Sequence, residues 1–214
     1  MKLQNAIADY RAKFKENVPE NIQLIMSQAT QALNESGMTS RAPKQGEVLP
    51  EFELSNQLGQ LRSLNQLLEQ GPLVMTFYRG GWCPYCNLEL KAYQAVLPEL
   101  KKAGANLVAI TPELPDQSLS TAEKNALEFE VLSDPGSNYA KRLGLVFSLP
   151  EELRTIYSGF GIDVEGHNGK GQFDLPLAAT FVVTPDKAIV SAFVDADYTK
   201  RQEPSEIIAL LDKL

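Results

Sequence analysis

The chain has 214 residues, 43% hydrophobic and 22% charged, and carries a net charge of −7. That length fits one domain of ordinary to large size plus an extension. The acidic balance, with no dense Lys/Arg cluster, speaks against nucleic acid or an anionic membrane as partner. No apolar run reaches bilayer-spanning length, and Met1 to Ile7 lack the apolar segment of a secretion signal, so a cytoplasmic location is expected.

In chain order, Leu3, Ile7, Tyr10 and Phe14 share one helical face, and Ile22, Ile25, Met26, Ala29 and Leu33 share another. Pro19 separates the two segments and Gly37 closes the second. Residues 1–45 therefore read as a helical arm with a turn-rich linker, packed on the domain or on a second subunit as a homodimer. The domain itself is expected over 46–214. Phe52 and Leu54 alternate with polar residues before the turn at Asn56 to Gly59, which predicts a short hairpin. Ser63 then precedes a short helix that ends at Gly71.

The apolar run Leu73 to Tyr78 predicts a strand. Gly80 and Gly81 break it, and Trp82, Cys83 and Pro84 open a helix running to about Lys102 with a kink at Pro98. Leu107 to Ile110 is a second apolar strand of the doubly covered kind. A helix over 118–128, a strand at Val131-Leu132, a turn at Asp134-Pro135-Gly136 and a helix over 138–143 follow. Alternating strands and helices indicate an α/β fold. Residues 148–175 interrupt the rhythm with a helix over 151–160 and a glycine-rich loop. That loop lacks the G-x-x-x-x-G-K-[ST] order of a phosphate cradle and reads as a flexible surface insertion, with His167 solvated. Thr180 to Val183 and Ala188 to Val190 form an antiparallel pair around Pro185-Asp186-Lys187, and Ser205 opens the last helix. Asp195, Asp197, Thr199 and Glu206 hint at a calcium loop, but Lys200 and Pro204 fit a simple turn better.

Both cysteines of the chain, Cys83 and Cys86, fall in the strand-turn-helix segment. Residues three apart on a helix are neighbours, with Cβ atoms about 5–6 Å apart, so this pair can close a disulfide with little backbone motion. Cys83 at the helix start faces unpaired N–H groups that favour its thiolate. Pro84 suits the first helical position because it has no N–H to leave unpaired. Cys83 is thus the nucleophile and Cys86, deeper, the resolving thiol. A zinc site would need four ligands, and His167 is the only histidine, so neither a metal nor another cofactor is expected. Arg79 adds a positive field if it points inward. Trp82 and Tyr85 are either a lip that partners touch or core.

Cys-Pro-Tyr-Cys is similar to the glutaredoxin motif, and strand, Trp-Cys-x-x-Cys, helix resembles the thioredoxin fold. The stretch Phe77 to Leu90, with Phe52-Glu53-Leu54, Gly71-Pro72, Ala178 to Val182 and Asp197 to Arg201, resembles a peroxiredoxin-like branch of the alkyl hydroperoxide reductase/thiol-specific antioxidant family. The resemblance implies a thioredoxin-like fold with a central mixed sheet flanked by helices. It also implies a thiol peroxidase that reduces hydrogen peroxide or organic hydroperoxides through Cys83 and Cys86, recharged by a thioredoxin- or glutathione-type reductant. The alternatives are a thiol–disulfide oxidoreductase with a disulfide substrate and a non-catalytic redox sensor. The chain departs from the Pro-x-x-x-Thr/Ser-x-x-Cys pattern, with Thr76 and Gly80 at the first two positions, and Ala178 stands where the family's assisting arginine is expected. Another donor must serve. Arg79 is nearest in sequence, with Arg154 and Arg201 available from afar, and Gly80, Gly81 and Trp82 complete the set of assisting residues around the dithiol.

Overall fold

The computed structural model describes residues 2–214. Two helices form the arm, α1 (Leu3–Asn17) and α2 (Glu20–Glu35). Pro19 is the N-cap of α2, where a missing N–H does no harm. The arm lies on its own domain. Leu3 and Ile7 of α1 are buried in the core beneath the cysteine helix, and Glu203 accepts the Leu3 and Gln4 N–H groups at 3.0 and 3.1 Å. A carboxylate there satisfies two unpaired donors and faces the positive end of the helix. Met26 of α2 joins Leu149, Leu153, Tyr157, Val164 and Leu175 in a separate cluster over the insertion.

The remaining helices are α3 (Leu64–Leu68), α4 (Pro84–Ala95), α5 (Leu97–Lys102), α6 (Pro115–Lys124), α7 (Asn138–Arg142), α8 (Glu151–Gly159), α9 (Val164–Asn168) and α10 (Pro204–Leu211). The strands are β1 (Glu53–Asn56), β2 (Leu61–Ser63), β3 (Leu73–Phe77), β4 (Asn106–Thr111), β5 (Glu130–Ser133), β6 (Val146–Ser148), β7 (Asp174–Pro176), β8 (Ala178–Val183) and β9 (Ile189–Asp195). Seven strands form a mixed sheet in the order β2-β1-β5-β4-β3-β8-β9, and β6 pairs with β7 separately. The fold is thioredoxin-like. β3, β4 and β5 are parallel, while β8 joins β3 in the antiparallel sense. Every residue of β3 is buried, which explains its unbroken apolar run: with both faces covered there is no polar side to alternate with.

One sheet face is covered by α1, α4, α5 and α10, and a second core fills the other face with Phe52, Leu64, Leu68, Tyr139 and Leu143. Ser63 caps α3 through a reciprocal pair with Gln66, the capping box. Three expectations need correction. The helix after Cys83 is two helices rather than one kinked one. Val96, at φ −106° and ψ 8°, breaks it, and Pro98 sits in the first turn of α5 where no N–H is required. The helix expected over 118–128 is α6, which starts at Pro115 and ends at Lys124, before Ala126 turns to φ 50°. The glycine-rich insertion is also anchored. Its flanks pair as β6 and β7, Asp163 caps α9 by accepting the Gly166 N–H, and the Leu114 N–H donates to the His167 carbonyl at 2.8 Å.

Among the described residues, no helix is long and apolar enough to cross a membrane, and no cluster of three or more His, Cys, Asp or Glu side chains is placed to hold a metal. The acidic turn at 195–199 holds itself: Asp195 and Asp197 accept N–H groups two residues on, and Lys200 pairs with Asp195.

Candidate active site

β3 delivers the site to the C-terminal end of the central strand. After Tyr78, whose N–H donates to the Ile110 carbonyl, the chain turns through Gly80 and Gly81 into α4. Both glycines are required by close approach. A Cβ on Gly81 would lie 2.0 Å from Thr121 Oγ1 of α6, and a Cβ on Gly80, at φ +152°, would lie 2.3 Å from Trp82 Nε1. The turn is tied from below by Glu113, which is fully buried and accepts from the Gly81 N–H at 2.9 Å, Tyr78 Oη at 3.2 Å and Thr121 Oγ1 at 3.3 Å. His167 Nδ1 lies 2.7 Å from Glu113 Oε1. The imidazole expected in solvent is therefore a tether between the insertion and the cysteine turn, with only about a quarter of its side chain exposed. Sequence reading missed Glu113 and the role of His167 because the contact joins residues 54 positions apart.

Cys83 is the N-cap of α4 and Cys86 lies one turn inside; both are reduced and buried, at 2% and 0% exposure. Cys83 nonetheless lines a cleft of about 280 Å³ with Arg79, Trp82, Tyr85, Tyr157 and Tyr198, closed on one side by Tyr10 and Phe14 of the arm. Tyr85 stacks edge-on with Tyr10 and Tyr198, with ring centroids 5.1 and 5.6 Å apart. It is buried, whereas Trp82 keeps an exposed edge, so the two aromatics are both core and lip.

Arg79 points inward and is 4% exposed. Its Cζ lies 5.1, 5.5 and 4.5 Å from the ring centroids of Trp82, Tyr157 and Tyr198, and Nη2 donates to the Tyr157 hydroxyl. Cation–π contact offsets part of its desolvation, yet among the described residues no carboxylate pairs with it. Arg201 comes from the chain after β9, with Nη2 3.4 Å from Cys86 Sγ and Nε 2.7 Å from Glu89 Oε2. Arg154 is elsewhere, stacked on Phe173. Ala178, at the start of β8, is buried and contributes no donor.

Around the thiols, then, stand two buried guanidinium groups and one carboxylate, Glu89. Arg201 pairs with Glu89 at 2.7 Å, whereas among the described residues no carboxylate pairs with Arg79. Burial pushes the Cys83 thiol up, but the Cys86 thiol, Arg79, Arg201 and the Cys86 N–H together outweigh it and hold its pKa at about 6. Burial and the neighbouring Cys83 thiolate push Cys86 well up. Burial also pushes Glu89 to about 7, Cys86 adding to the rise and Arg201 opposing it. Burial raises both thiols and the two arginines lower both; the difference between them comes from their mutual hydrogen bond, which lowers Cys83 and raises Cys86.

The AhpC/TSA family matches residues 45–192. The chain belongs to that family. Peroxiredoxin Bcp of Escherichia coli is 31% identical over 128 residues, covering 58% of this chain and 81% of the relative. Chloroplastic peroxiredoxin Q of Populus jackii is 33% identical over 100 residues, covering 47% of this chain and 46% of the relative. Among solved structures, peroxidoxin BcpB of Mycobacterium tuberculosis superposes with a TM-score of 0.63 at 22% identity, over 80% of this chain and 97% of that one. Peroxiredoxin Q of Xanthomonas campestris does so at 0.57 and 20%, over 76% and 90%. This AhpC/TSA member is an oxidoreductase, a peroxiredoxin-like thiol peroxidase, and family membership favours that activity over disulfide exchange or passive sensing.

Proposed function

We propose that the peroxidase cycle runs on Cys83 and Cys86. The Cys83 thiolate attacks one oxygen of a hydroperoxide: a sulfur–oxygen bond forms, the oxygen–oxygen bond breaks, and sulfur gives up two electrons. The departing alkoxide or hydroxide takes a proton from water, leaving Cys83 as a sulfenic acid. Cys86 then attacks the Cys83 sulfur, its proton leaves with the hydroxyl group as water, and the disulfide is closed. An external dithiol of the thioredoxin type returns both thiols by exchange and is itself oxidised. The observation that carries this reading is that Cys83 and the buried guanidinium of Arg79 line one cleft, with no carboxylate among its lining residues.

Trp82, the only tryptophan of the chain, adjoins Cys83 and reports its oxidation. Stopped-flow fluorescence of the reduced protein mixed with hydrogen peroxide or an organic hydroperoxide should show oxidation far faster than that of a free thiol. A rate equal to a free thiol's would refute the peroxidase cycle. In Cys86→Ser, a sulfenic acid should accumulate at Cys83 and be trapped by a sulfenic-acid reagent; its absence would remove Cys86 from the resolving role.

A further inference from the structure

The reactive site contains two buried donors that no group of the protein uses. Arg79 Nε and Trp82 Nε1 are both shielded from solvent, and among the described residues neither has a hydrogen-bond partner. A buried N–H left without an acceptor forfeits the hydrogen bond it would make in water, so two such groups side by side in one cleft call for a ligand. Both residues line the cleft that holds Cys83, and the guanidinium of Arg79 lies 5.1 Å from the Trp82 ring. An indole N–H and a guanidinium N–H only donate, so the ligand they suit presents acceptor oxygens.

The backbone makes room for this arrangement at one residue. A Cβ on Gly80 would sit 2.3 Å from Trp82 Nε1 and 2.7 Å from its Cδ1. The indole therefore occupies the space that any side chain at position 80, three residues before Cys83, would fill. Arg79, the residue next to that glycine, supplies the second donor.

Resting on the peroxidase cycle proposed above, we infer that Trp82 Nε1–H and Arg79 Nε–H are the catalytic donors that hold the two peroxide oxygens against Cys83. Electrons leave the thiolate sulfur for the antibonding orbital of the oxygen–oxygen bond. Negative charge then grows on the departing oxygen, and donors fixed before the reaction stabilise that charge without reorganising. Position 80 holds glycine because the donor comes from a side chain two residues later.

Two variants test the assignment. Trp82→Phe removes the N–H and keeps an aromatic ring, while Gly80→Ala keeps the N–H and displaces the indole. Each is compared with the wild type in peroxide oxidation of Cys83, read by rapid quench and mass spectrometry, and in alkylation by iodoacetamide, which needs a thiolate but no peroxide donor. Peroxide oxidation should fall about 10- to 100-fold in both variants, the loss of one hydrogen bond to a charged group, while alkylation stays within about twofold. Peroxide rates unchanged in both variants would overturn the assignment while a fast wild type left the dithiol cycle standing. Peroxide and alkylation rates falling together would also overturn it, because the indole would then be shaping the thiolate and not the peroxide. A wild type no faster than a free thiol would overturn the underlying peroxidase cycle and this assignment with it.

Discussion

Removing the charge of Arg79 separates two contributions that wild-type reactivity combines. Arg79→Met preserves much of the volume between Trp82, Tyr157 and Tyr198 and leaves Cys83 its other supports, the Cys86 thiol and N–H and Arg201. Loss of one close opposite charge should raise the thiol pKa from about 6 by roughly 1–2 units. Taking a rise of about 1.5, the thiolate fraction at pH 7 drops from about 90% to about 25%. A more basic thiolate is, however, intrinsically more nucleophilic, by about fivefold for that rise. The two effects nearly cancel at neutral pH. At pH 5 the loss of thiolate is about 30-fold and wins, so alkylation slows about sixfold, whereas near pH 9 it becomes about fivefold faster. The assay is the iodoacetamide rate at Cys83 against pH, read by peptide mass spectrometry with Cys86 kept, and the wild-type curve should rise as pH passes about 6. Crossing curves with a higher midpoint in the variant are expected. An unmoved midpoint, or curves that stay parallel, would refute the claim that the charge of Arg79 holds the Cys83 thiol pKa down.

The remaining predictions concern the supports of the site. Because the folded-state pKa of Cys83 lies below its unfolded value, the reduced protein gains stability from it that is complete above the unfolded value and is lost as pH falls through about 6; thermal melts of reduced protein should show a gain between pH 6 and 9 that Cys83→Ala lacks. Arg201→Met leaves Glu89 buried without its cation and should cost about 3–5 kcal/mol in denaturant unfolding, while Arg201→Met with Glu89→Gln should recover most of it. Gly81→Ala places a Cβ 2.0 Å from Thr121 Oγ1, so it should lower the melting temperature, with Thr121→Ala relieving the clash. Ile7→Ala empties a site that is 4% exposed in the core beneath α4 and should cost about 2–4 kcal/mol; a loss below about 0.5 kcal/mol would mean that the arm does not pack there.

The sequence by itself determined what is local. Cys83 and Cys86 sit three apart after an apolar run and two glycines, and backbone geometry then places them at the start of one helix and one turn within it. Unbroken apolar runs marked β3, β4 and β8 and a 3.6-residue period marked the arm helices, because burial of both faces or of one writes itself into consecutive residues. Element ends were less legible at Val96 and Ala126, where single backbone angles end a helix that the apolar pattern continues. Only the tertiary structure decided which charges surround the thiols. Arg201 reaches Cys86 across 115 positions and His167 reaches Glu113 across 54, and such contacts leave no periodic trace in the chain. The same holds for Tyr10 and Phe14, which read as arm residues packing on some surface and prove to be a wall of the reactive cleft. Gly80 shows both sides: the sequence marked it as a missing hydroxyl, and the fold fills that space with the indole nitrogen of Trp82.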